Sequence, residues 1–139
     1  MKPVQRTPPE QLSRWVAIVD DDPSVRSALA RVLRTAGIAV ETYASAHEYL
    51  SASLDREPAC LVLDVHLGGM TGFDLHDRLL ASGSAVAVVF ITAHDEVPTD
   101  ELERRAGPDG YLRKPFDVAA LIACIRQIVG RSAPVSDGR

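Results

Sequence analysis

WVAIVDDDP, residues 15–23, decides the fold: an apolar run, three consecutive aspartates and a proline. Five apolar residues without a polar interruption, Trp15 to Val19, suit a strand covered on both faces. Asp22 is a good N-cap and Pro23 a good first helical residue, so the chain passes from strand to helix through a short acidic turn. Val25, Leu29, Val32, Leu33 and Ala36 then recur at helical spacing and supply the inward stripe.

The same alternation continues outward. Gly37 ends the first helix, and Ile38 to Tyr43 alternates apolar and polar residues as a half-exposed edge strand does. Ser45 is placed to cap a short helix through Leu54. Cys60 to Leu63 is a second continuous apolar run, followed by the Gly68-Gly69 loop and a helix from about Gly72 to Leu80. Ala85 to Ile91 is the third run; Thr99 is read as the cap of a helix from Asp100 to Ala106, stopped at Gly107-Pro108. Tyr111-Leu112 is a short fifth strand, and Asp117 caps a last helix, Val118 to Val129, closed by Gly130. Three apolar strands and two more polar ones predict an α/β fold with a five-stranded parallel sheet. Right-handed crossovers and polar edges give the order 2-1-3-4-5, the flavodoxin-like arrangement.

The 139 residues, 46% of them apolar, suffice for one core. Residues 15–130 are read as one domain, between flexible tails at 1–14 and 131–139 that are rich in proline, serine and polar residues. A net charge of -4 argues against a nucleic-acid footprint, and no separate DNA-binding domain is expected. No stretch is long and apolar enough to span a bilayer, nor does Met1 to Arg14 resemble a signal peptide, so a cytoplasmic protein without a membrane partner is expected. Cys60 and Cys124 sit in apolar segments and read as reduced core thiols.

Asp20, Asp21, Asp64, Thr92 and Lys114 all fall after strands of this outline, at the edge where open α/β sheets bind ligands. Three carboxylates there repel one another unless a cation compensates, and a hard divalent ion such as Mg²⁺ suits oxygen ligands. Each residue alone has a plainer role: Asp22 reads as a cap, Thr92 as a turn residue and Lys114 as a solvated lysine. Their joint placement points to a site.

The stretches Ile18-Val19-Asp20-Asp21-Asp22, Leu61-Val62-Leu63-Asp64, Phe90-Ile91-Thr92-Ala93 and Tyr111-Leu112-Arg113-Lys114-Pro115-Phe116 resemble the marker segments of response-regulator receivers. The resemblance covers about Val16 to Val129 and implies a phosphoacceptor aspartate, Asp64. It also implies Mg²⁺ or Mn²⁺ bound by Asp21 and Asp64, by Asp20 largely through water, and by the backbone carbonyl of His66. Lys114 would contact the phosphoryl oxygens, Thr92 would bond to them, Tyr111 would change rotamer in the switch, and Lys114-Pro115 would be cis. The implied partners are a histidine kinase or phosphotransferase and an unknown downstream protein, reached through the surface of the last two helices and the fifth strand.

The chain departs from the family at Gly68, where many members carry proline; a more mobile loop is expected. His66 and His94 occupy variable positions that flank the phosphoryl group in the family. Their pairing raises the prospect of pH-dependent phosphoryl loss, against a plain reading as solvated loop histidines. The helix DELERRA has only Leu102 and Ala106 as anchors, so it is expected to shift easily. With no second domain after Val129, a single-domain signalling protein that is not an enzyme is expected. Three other readings compete with this one. A phosphohydrolase working through an aspartyl-phosphate would want an aspartate where His66 stands. A flavodoxin-like cofactor site is opposed by the charge of Asp20-Asp21-Asp22. A receiver-like module working through contacts alone, without phosphorylation, is the main alternative.

Overall fold

The computed structural model describes residues 15–52, 57–93, 97–106 and 110–132. The elements alternate along the chain as β1 (Val16–Val19), α1 (Pro23–Thr35), β2 (Val40–Tyr43), α2 (Ala46–Ser51) and β3 (Cys60–Asp64). Then follow α3 (Gly72–Ala81), β4 (Ala87–Ala93), α4 (Thr99–Ala106), β5 (Tyr111–Lys114) and α5 (Val118–Ser132). The strands form one parallel sheet in the order β2-β1-β3-β4-β5, as expected.

Side chains that alternate along β1, β3 and β4 feed two cores. Ala17, Val19, Leu61, Leu63 and Phe90 pack with Tyr49, Phe73, Leu75, Leu79 and Leu102 from α2, α3 and α4. Val16, Ile18, Val62, Val89 and Ile91 pack on the other face with Leu29, Leu33, Leu121, Ile125 and Ile128 from α1 and α5. A sheet clad on both faces explains why its central strands tolerate no polar residue until their carboxyl ends.

Helix starts follow capping chemistry. The Asp22 carboxylate accepts from the Ser24 and Val25 amides, and Ser45 Oγ from Glu48 N. The Asp117 carboxylate accepts from Ala119 N. The cap of α3, Thr71, escaped the sequence reading: its hydroxyl accepts from Asp74 N while the Asp74 carboxylate accepts from Thr71 N, a closed capping box.

Several boundaries differ from expectation. α2 stops at Ser51 because Ala52 takes an extended conformation, ψ 137°; Leu54 lies outside the described residues. β4 continues through Thr92 and Ala93, which pair with Arg113 and Lys114, so Thr92 belongs to the strand and is no turn residue. β5 correspondingly runs to Lys114. Thr99 is the first residue of α4 and not a preceding cap. α5 passes through Gly130 to Ser132. Buried Ile128 and the packed Val129 hold the helix in place there against the weak helix propensity of glycine.

The helix α4 has Leu102 as its one fully buried residue, and a second anchor that patterning could not show. The Arg105 guanidinium lies 4.7 Å from the Phe73 ring centroid and donates to both Asp77 carboxylate oxygens, at 2.8 and 3.2 Å. Arginine thus ties α4 to α3 across a gap that the apolar pattern left bare.

Replacing Thr71 with alanine removes the capping box and is expected to lower stability by about 1 kcal/mol, read as a drop in urea midpoint at unchanged slope.

Candidate functional site: an acidic cluster at the carboxyl ends of the strands

Each side chain of the site is placed by the sheet. Asp20 follows β1; its amide donates to the Tyr43 carbonyl at 3.2 Å, extending the β1–β2 pairing by one residue. Its carboxylate accepts from the Asp22 amide at 2.9 Å, and its carbonyl from Arg26 Nη1 at 2.7 Å. Asp64 ends β3, with its carboxylate accepting from the His66 amide at 3.0 Å. The next residue, Val65, stays tied to β4 through its amide bond to the Ile91 carbonyl at 2.9 Å.

These constraints bring one carboxylate oxygen each from Asp20, Asp21 and Asp64 within 4.8 Å of one another. Asp20 and Asp64 are buried, whereas Asp21 is exposed. Lys114 Nζ, from the end of β5, lies 3.7 Å from Asp64 Oδ2. Thr92 is fully buried on β4, where its hydroxyl donates a long bond of 3.4 Å to the Ala93 carbonyl. Tyr111, half-buried at the start of β5, donates its hydroxyl to Glu103 on α4 at 3.3 Å. The Lys114-Pro115 peptide is cis. His66 is exposed; His94 lies outside the described residues.

The electrostatics follow from burial without a full complement of positive charge. Burial pushes the Asp64 carboxyl up to about 6, and the neighbouring Asp20 and Asp21 add to the rise. The bond from His66 N and the charge of Lys114 work against it. Asp20 is raised as well, again chiefly by burial, with the Asp22 amide and Lys114 opposing. Three clustered carboxylates with a single lysine at hand form an all-oxygen donor set that fits a hard divalent cation.

Three further residues build the site, and the sequence reading gave none of them this part. An added Cβ at Gly72 would lie 2.5 Å from the Asp64 carbonyl oxygen and 3.1 Å from Val65 Cα. Only glycine lets α3 begin against the end of β3. Gly68 has φ +84°, a conformation closed to the proline many family members carry there. Arg113 Nη2 donates to the Val97 carbonyl at 2.6 Å and Thr99 Oγ1 at 3.0 Å, clipping the start of α4 to β5 beside Lys114. No spacing rule announces such contacts, since each joins residues distant in sequence or depends on backbone clearance.

Residues 16–126 match the response regulator receiver domain. The chain belongs to the response-regulator receiver family. Among curated relatives, the receiver is 40% identical over 125 residues to the transcriptional regulatory protein FixJ of Azorhizobium caulinodans, covering 90% of this chain and 58% of FixJ. It is 35% identical to nodulation protein W of Bradyrhizobium diazoefficiens, covering 73% of this chain and 44% of that protein. The chain thus spans about half the length of these relatives. Among solved structures, a response regulator receiver protein from Burkholderia phymatum superposes with TM-score 0.72 at 42% identity, covering 88% of this chain and 99% of that one. FixJ-N superposes with TM-score 0.77 at 30% identity, covering 88% and 98% respectively. Among the described residues, no helix is long and apolar enough to cross a membrane.

Two predictions follow from the geometry of the receiver. Because the folded state holds the Asp64 proton to about pH 6 while an exposed carboxyl loses it near 3.8, the contribution of this group to folding without metal is fully present below that lower value. That contribution, up to ~3 kcal/mol, is expected to be lost as pH rises from there through 6. Urea midpoints between pH 4 and 7 read this slope, which Asp64→Asn is expected to reduce, leaving the smaller part due to Asp20. Gly72→Ala forces backbone apart at the end of β3 and is expected to cost about 1–3 kcal/mol. Gly69→Ala, where an added Cβ meets nothing within 4 Å, serves as the control.

Proposed function

We propose that this receiver accepts a phosphoryl group on Asp64 from a histidine kinase, a phosphotransferase or a small phosphodonor, and signals through changed protein binding. The observation that carries the proposal is the meeting of Asp20, Asp21 and Asp64 within 4.8 Å, with Lys114 3.7 Å from Asp64. An Asp64 carboxylate oxygen attacks phosphorus, forming an acyl phosphate as the bond from phosphorus to the donor's nitrogen or oxygen breaks. The group ends on the protein, so the chain acts as an acceptor and not as an enzyme that releases product.

Phosphoryl transfer is governed by positioning and by neutralisation of charge spread over the phosphoryl oxygens. A divalent ion, Mg²⁺ or Mn²⁺, held by Asp20, Asp21, Asp64 and the His66 carbonyl would supply most of that neutralisation. Lys114, 3.7 Å from Asp64 Oδ2, would supply the rest. The bond from His66 N holds Asp64 Oδ1 in place and leaves Oδ2, on the Lys114 side, as the attacking oxygen.

The new charge recruits the Thr92 hydroxyl. Tyr111, whose hydroxyl now reaches Glu103 on α4, follows inward, and the surface of α4, β5 and α5 moves toward its active population. The Arg105 tie to α3 and the Arg113 clip are the contacts that α4 must stretch or keep in that change. A cytoplasmic location goes with a kinase donor. What lies downstream belongs to the same proposal, since FixJ and nodulation protein W are about twice as long as the matched region.

Intact mass after treatment with acetyl phosphate tests the reading. One added phosphoryl group in the presence of Mg²⁺, absent with EDTA and in Asp64→Asn, is the expected outcome. Unmodified wild-type protein under both conditions would favour a module that works by contacts alone. Mg²⁺ is also expected to raise the melting temperature of the wild type by mass action and to leave Asp21→Asn nearly unmoved.

A further inference from the structure

The helix α1 carries Arg26, Arg31 and Arg34 and no carboxylate, in a chain whose net charge is -4. Helical spacing sets Arg26, Ser27, Ala30, Arg31 and Arg34 along one stripe. Together with Thr42 of β2 they line a groove of about 250 Å³ on the α1–β2 side of the sheet. Ala30 is buried and gives the groove a floor without bulk.

Two of the three guanidiniums are held by main chain. Arg26 Nη1 donates to the Asp20 carbonyl at 2.7 Å, and Arg34 Nη2 donates to the Val40 carbonyl at 2.9 Å. Each guanidinium has five N–H donors, so these bonds fix its position and leave most of its hydrogen-bonding capacity unused. Among the described residues, none of the three arginines is in an ion pair with a carboxylate. The groove therefore gathers positive charge on pre-positioned forks, with hydroxyls from two different elements and no acidic group in its lining.

We propose that this groove binds a compact phosphate-bearing anion, a small molecule carrying one or two phosphoryl groups. Guanidinium forks match the geometry of phosphate oxygens and bind them in pairs, while the Ser27 and Thr42 hydroxyls add neutral donors. Size decides between ligand classes. The lining spans little more than two turns of α1 and one residue of β2, at the small end of ligand pockets, which suits a phosphate or diphosphate and is short for an extended acidic peptide. The site is separate from the acceptor centre, whose clustered carboxylates repel free phosphate. The bond from Arg26 to the Asp20 carbonyl joins the two, so an occupied groove would bear on the backbone that carries Asp20.

The test is a titration of the ¹⁵N-labelled protein in EDTA, at constant ionic strength, with inorganic phosphate, with pyrophosphate and with a glutamate-rich peptide. Saturable shifts in the amides of residues 26–34 and 40–43 with pyrophosphate, alone or together with phosphate, are the expected result. Arg31→Gln, at an exposed position that the fold does not use, is expected to weaken binding about tenfold, the loss of one charge-assisted bond. Arg34→Gln supplies a second variant, and the dispersion of the amide spectrum reports whether each is folded. Four results overturn the proposal: no saturable response, shifts confined to the surroundings of Asp64 and Lys114, unchanged affinity in Arg31→Gln, or a response to the peptide alone.

Discussion

Repulsion among Asp20, Asp21 and Asp64 is the constraint on which the rest of this structure turns. Like charges within 4.8 Å, two of them buried, are unfavourable, and the fold accepts that cost at one place. The opposing contributions are small and local: one amide bond to each buried carboxylate and a lysine at 3.7 Å. The proton affinity of Asp20 and Asp64 is raised chiefly by burial, and the neighbouring carboxylates add to the rise. A site left in deficit of positive charge fits a hard divalent cation.

The surrounding structure keeps this strain in place. Central strands buried on both faces do not slide, because a one-residue slip would turn every apolar side chain toward the wrong core. Gly72 lets α3 start hard against the end of β3, and the Thr71–Asp74 capping box fixes where that start falls. Asp20 is held through its amide by β2, through its carboxylate by the Asp22 turn and through its carbonyl by α1. Rigidity at the cluster contrasts with the lighter anchoring of α4, which rests on Leu102, Arg105 and the Arg113 clip. Under the proposed function that contrast would give a fixed place for chemistry beside an element able to respond.

An aromatic path joins the two. Phe90, two residues before Thr92 on β4, meets the Phe73 ring edge-on with centroids 4.9 Å apart, and the Arg105 guanidinium covers the other partner, Phe73. Under the proposed function, movement of Thr92 toward a phosphoryl group would act on a strand whose side chains are in packing contact with the residue that binds α4. Arginine serves this protein as a structural residue in several places, bridging Asp77, the Val97 carbonyl, the Asp20 carbonyl and the Val40 carbonyl.

The sequence by itself determined the layered fold, the strand order and the identity of the acidic residues. Apolar runs, caps and glycines are local signals, and WVAIVDDDP carries strand, site and helix start in nine residues. It also held the four marker segments, from which the placement of Lys114 beside Asp64 and the cis Lys114-Pro115 bond were legible. Only the tertiary structure decided that Thr92 and Lys114 lie within their strands, because strand length there depends on β4 and β5 pairing with each other. Gly72 at the Asp64 carbonyl, Arg105 on Phe73 and the arginine groove over β2 were likewise decided in three dimensions. Each depends on the distance between residues that no periodicity relates, and that distance exists only once the sheet has closed its two cores.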